Sequence, residues 1–230
     1  MTKFAAWLIA AGLAVIAAGV AYPQPAPPRF DYLVREDMFR GFFAGDKEAF
    51  ARAMALCEAR LAENPDHPEA LVWHGSGLMF LAGEAARASD RDRAGVLNRQ
   101  ALAEMAKAVA LGPDNIGVLI PRGAVLLATA MQIQDAERAR PYVETAMGDF
   151  EKVMALEQRR LASMATHPKG ELFGGLAEGW ARLGDAQKAR VYLARMIAEL
   201  PDTPYSAAAQ ARLDNPGAMS RITCLGCHTK

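Results

Sequence analysis

From Phe30 to Asp214 the apolar residues recur every three or four positions, and no stretch sustains the alternation that a half-buried strand requires. Good helix formers (Ala, Leu, Arg, Glu and Met) fill this region, and β-branched residues are few. The body is therefore predicted to be all-α. Turn residues cut it into antiparallel pairs. The first pair covers 31–44 and 46–63, broken at Gly45-Asp46, where Asp46 is placed to cap the second helix. Asn64-Pro65-Asp66-His67-Pro68 closes that pair. The second covers 68–83 and 90–111 and ends at Gly112-Pro113-Asp114-Asn115. The third covers 116–131 and 135–164 and ends at Thr166-His167-Pro168. The fourth covers 170–183 and 185–200, Leu200-Pro201-Asp202-Thr203-Pro204 closes it, and a last helix spans 205–214.

The pairs share a grammar. In the fourth, Gly175, Ala177, Trp180, Leu183-Gly184-Asp185, Ala189, Tyr192-Leu193 and Leu200-Pro201 fall where small residues let two helices approach and a Pro stops the second. This unit resembles a tetratricopeptide repeat (TPR) of about 34 residues. Earlier units share Ala70-Leu71, Trp73 and Gly75, or Ala106 and Ala108 to Leu111, but their connections at 84–93 and 132–140 are longer than the repeat pattern. The resemblance covers roughly residues 31–213. It implies an antiparallel helix-hairpin, TPR-like solenoid of about four units with a short C-terminal tail, each unit burying a face that one hairpin cannot. The last helix, with Ala207, Ala208, Ala211 and Leu213, is expected to cap the stack, and Trp73, Trp180, Phe80 and Phe173 to be ordinary core. The charge runs Arg87 to Arg93 and Glu137 to Arg140 read as solvated surface.

Composition narrows the function. Twenty-six basic and 26 acidic residues cancel, so no basic field exists to attract nucleic acid. Residues 1–21 carry one early charge, Lys3, and then run apolar from Phe4 to Ala21, the pattern of an export signal. Gly19 and Ala21 suit cleavage after Ala21; the near-bilayer length of the run and the Pro-rich linker 22–30 suit an uncleaved inner-membrane anchor instead. Either outcome predicts a periplasmic body, 31–214, followed by a tail, 215–230. No phosphate loop, His-Glu-x-x-His helix or Ser nucleophile elbow is present, so an enzyme is not expected.

The tail ends in Cys224-Leu225-Gly226-Cys227-His228. Two thiols at this spacing with an adjacent imidazole form the pattern that attaches a c-type haem. On this reading Cys224 and Cys227 hold covalent haem c by thioethers, His228 is the proximal iron ligand, and the protein is a monohaem cytochrome handing electrons to a protein partner. The C-terminal placement resembles cytochrome c′ in position alone. His74, His67 and His167 are the candidates for a sixth ligand; Met219 is too near His228 along the chain to reach the opposite haem face easily. Each histidine also has a plainer reading, His67 and His167 as polar loop residues before a Pro and His74 as a satisfied groove residue. A redox dithiol lacks the usual strand-and-helix setting, and a zinc site lacks a fourth ligand. The competing function is a non-enzymatic TPR scaffold for protein partners in the cell envelope, with the motif incidental. Cys57, alone in a helix, is expected to be a small buried apolar residue.

Overall fold

The computed structural model describes residues 29–216. The export segment, most of the Pro-rich linker, and the predicted haem ligands Cys224, Cys227 and His228 lie outside the described residues. Among the described residues nine α-helices follow one another: α1 (Asp31–Ala44), α2 (Lys47–Glu63), α3 (Pro68–Arg87), α4 (Arg91–Leu111), α5 (Ile116–Gln132), α6 (Ala136–Glu157), α7 (Thr166–Arg182), α8 (Ala186–Glu199) and α9 (Pro204–Asp214). A 3-10 turn, Leu161–Ser163, stands between α6 and α7. The described residues contain no strand.

Polar residues in the turns start the helices. Asp46, Asp90, Asp135 and Asp185 accept backbone N–H bonds in the first turns of α2, α4, α6 and α8, and Thr203 forms a reciprocal capping box with Ser206 at α9. Gly45 ends α1 with φ 67°, a left-handed conformation that glycine adopts without a steric penalty.

Three sequence expectations are corrected. The connections at 84–93 and 132–140 are short, because α3 continues to Arg87 and α6 begins at Ala136 with Pro141 inside it. The second helix of the third pair stops at Glu157 rather than 164, and buried Leu161 pins the 3-10 turn that follows. His167-Pro168 belongs to the first turn of α7 and not to a loop. Backbone N–H groups there have no intrahelical acceptor, so a Pro forfeits nothing.

Each odd-numbered helix packs with the even one after it, completing four hairpins, and each even helix leans on the next odd one. The odd helices α1, α3, α5, α7 and α9 also pack in series, whereas the principal packing pairs contain no two even helices. The odd row is therefore the tighter, concave layer of a TPR-like solenoid and the even row the outer one. Glycines set the layer spacing. Phe150 of α6 is fully buried, and a β-carbon on Gly123 of α5 or Gly175 of α7 would meet its ring at 2.9 and 2.5 Å. Polar side-chain pairs clip three hairpins internally: Asp37 with Arg52, His74 with Glu104, and Arg122 with Asp149.

The core contains Trp73 and Phe173 as expected, but Phe80 and Trp180 are only half-buried. In α9 the buried face is Tyr205 and Ala209, with Ala208 and Leu213 beside them; Ala207 and Ala211 point to solvent. Tyr205 outweighs the alanines because its ring lies flat against Gly170 of α7, where a β-carbon would stand 2.6 Å from the ring carbons.

Candidate functional site

Because the odd helices run side by side, their first turns line one rim of the solenoid, and side-chain bonds tie them together. Glu69 in the first turn of α3 accepts the N–H groups of Phe30 (2.8 Å) and Asp31 (3.4 Å) at the start of α1. Asn115, the cap of α5, donates to the other Glu69 oxygen at 3.3 Å. Asp31, beside it, has its carboxyl pushed up, chiefly by burial, while Arg29 opposes that shift.

The three histidines differ in what holds them. His67 caps α3: its Nδ1 accepts the Ala70 N–H at 3.2 Å, and its ring packs 5.3 Å from Phe30. An Nδ1 that accepts leaves the proton of the neutral ring on Nε2. His74 is inside the stack, its side chain 12% exposed, with Nδ1 2.6 Å from Glu104 of α4 and Nε2 3.9 Å from Glu58 of α2. It is the satisfied residue that its place within a helix suggests. His167, in the first turn of α7, lies 2.9 Å from the Tyr205 hydroxyl, and that hydroxyl donates to buried Glu171 at 2.7 Å. His67 and His167 share a rim; His74 lies deeper, between α2 and α4.

A second feature lies where α1, α2 and α3 meet. Phe39, Phe42 and Phe43 of α1, Phe50 of α2 and Phe80 of α3 pack ring against ring at 5.0–6.4 Å between centroids. Phe43 is 37% exposed, and Tyr32, on the same helix, is 56% exposed beneath the guanidinium groups of Arg29 and Arg35. Phe39, Phe42 and Phe50 are partly buried against the core, and Phe43 and Tyr32 are the exposed rings of α1, which suits a docking ledge. The outer even helices expose only scattered apolar residues such as Val96 and Val191.

Cys57 is fully buried, and burial pushes its thiol up to about 12, so it is a packing residue as expected. Among the described residues no group of three or more His, Cys, Asp or Glu is arranged to hold a metal ion. No helix among them is long and apolar enough to cross a membrane.

Glu69, Glu171 and Tyr205 escaped the sequence reading. Glu69 reads as an ordinary first-turn acid, and nothing in the local sequence of Tyr205 announces a partner 38 residues earlier. The phenylalanines of α1 are visible as a cluster, but helical spacing alone does not separate ledge from core.

No family model and no curated protein matches the chain. Among solved structures it is similar to a thermophilic TPR protein of Thermus thermophilus, with 25% sequence identity, a TM-score of 0.51, and coverage of 78% of this chain and 80% of that one. The fold is accordingly an all-α, TPR-like helical solenoid, the class that the sequence grammar implied.

Proposed function

We propose that the chain is a non-enzymatic TPR-like scaffold of the cell envelope that holds a protein partner against its concave layer. The observation that carries this reading is the aromatic cluster of α1, where Tyr32 and Phe43 are exposed beside the partly buried Phe39, Phe42 and Phe80. A partner's apolar side chains would complete the burial of these rings, each gaining about 25 cal/mol per Å² of apolar surface removed from water. The fold supports the reading, because stacked hairpins build one long recognition surface. The N-terminal apolar run supports export, with residues 4–21 as signal or tether. Tyr32→Glu or Phe43→Glu should abolish copurification of the partner, and Val96→Glu or Val191→Glu on the outer row should leave it intact. Equal loss from both sets would contradict the assignment.

One observation favours a second role for the same molecule: the terminal Cys224-Leu225-Gly226-Cys227-His228. On this reading the scaffold also carries haem c, with Cys224 and Cys227 as thioether residues and His228 as proximal ligand. Bound haem would supply one-electron transfer, and the scaffold would set which partner the haem meets. The described histidines fit such a group unequally. His74 is clamped between two carboxylates, and His67 is spent on its cap. Covalent haem is tested by mass: protein exported from a host with haem-attachment machinery should be heavier by one haem than Cys224→Ala/Cys227→Ala.

A further inference from the structure

We infer, building on the scaffold reading, that the partner seated on α1 is a second copy of this chain, with its own α1 laid antiparallel across the first. The exposed side of α1 is a single stripe. Tyr32, Glu36, Arg40 and Phe43 are all exposed, and steps of four, four and three residues put them on one face of an α-helix. Leu33, also exposed, adds apolar surface at its margin.

Reversed, this stripe complements itself. Tyr32 and Phe43 stand second from either end of Asp31–Ala44, and Glu36 and Arg40 lie between them on opposite sides of the middle. A two-fold axis through that middle sets Tyr32 against Phe43 of the partner subunit and Glu36 against Arg40 of the partner subunit. Because the contact is isologous, each pair forms twice. Ring then meets ring, and carboxylate meets guanidinium. Two α1 helices paired parallel and in register would instead oppose like charges at both positions, so charge selects the antiparallel arrangement. The existing bonds of these residues are kept. Glu36 lies 3.5 Å from Arg35, and Arg40 bridges to Asp46 at 2.5 Å; a carboxylate accepts several bonds and a guanidinium donates several. One helix pair buries less than the roughly 1,200 Å² of standard interfaces, so the dimer is weak, with a dissociation constant on the order of micromolar.

Sedimentation velocity tests this on protein purified after export of the full chain, at micromolar and higher concentrations. Wild type should dimerise. Glu36→Arg and Arg40→Glu, each alone, oppose like charges at both symmetry-related contacts and should raise the dissociation constant about tenfold or more. Their circular dichroism should match wild type. An equal mixture of the two variants should recover a dimer of near wild-type affinity with one chain of each, since opposite charges face each other again. A monomeric wild type, single variants that dimerise like wild type, or a mixture that fails to recover overturns the self-pairing. The scaffold reading fails separately. A monomeric wild type that still loses a copurifying protein on Tyr32→Glu or Phe43→Glu refutes the second copy and retains the scaffold; one whose copurifying proteins ignore both changes removes both readings.

Discussion

At the scale of single residues, the solenoid depends on side chains whose environments leave them one role. Cys57 has no exposed surface, and its thiol is pushed up to about 12 by burial, with Glu58 and Glu104 adding to the shift. Below pH 9 the thiol is protonated in the folded and unfolded chain alike, and its contribution to stability is fully present. Between pH 9 and 12 the unfolded chain sheds the proton and the folded one keeps it, so that contribution is lost as the pH climbs. Wild-type protein should therefore lose up to about 1.4 kcal/mol per pH unit more than Cys57→Ala across that window. Urea titrations of both proteins at pH 8, 10 and 11 measure the difference; parallel pH profiles would show that the thiol is not shielded. The apolar role of this residue was legible in the sequence, because a lone cysteine at a helical core spacing is usually packing. The contact of His167 with Tyr205 was not, because Tyr205 comes from α9, whose docking on α7 depends on how the stack closes.

At the scale of elements, the helices were legible wherever a turn carried its own chemistry. Gly45-Asp46, Gly112-Pro113 and Gly184-Asp185 mark their breaks because a left-handed glycine, a proline or a capping aspartate acts locally. The stop after Glu157 was not legible, since Gln158-Arg159-Arg160 holds no breaker and buried Leu161 sets it through tertiary packing. Two internal prolines did not interrupt the expected helices. Pro121 and Pro141 each stand sixth in a helix, and each withholds one N–H from the carbonyl four residues earlier, Gly117 in α5 and Glu137 in α6. Packing of both helices overrides that loss. Pro141 is on the exposed side, so Pro141→Ala removes the penalty without opening a cavity. It should raise unfolding free energy by roughly 1–2 kcal/mol, the helix gain less the added freedom of the unfolded chain. A denaturation midpoint at or below wild type would mean that the ring itself packs usefully.

At the scale of the whole molecule, the repeat grammar fixed the architecture, because stacking hairpins by their small residues leaves few alternatives. The curvature was not readable, since it comes from odd helices packing in series while no two even helices form a principal packing pair. Nor was the ledge: Phe39, Phe42, Phe43 and Phe80 all have the spacing of core residues, yet Phe43 is exposed and the others are only partly buried. The mass comparison of wild type with Cys224→Ala/Cys227→Ala tests the haem reading of the terminal cysteines.

The most direct test of the scaffold reading is site-specific photo-crosslinking in cells that make the full-length chain, with the reactive group placed at Phe43 in one strain and at Val191 in another. The concave ledge predicts a discrete adduct to one protein partner from Phe43 and none from Val191. Adducts of equal yield from both positions, or none from Phe43, would contradict it.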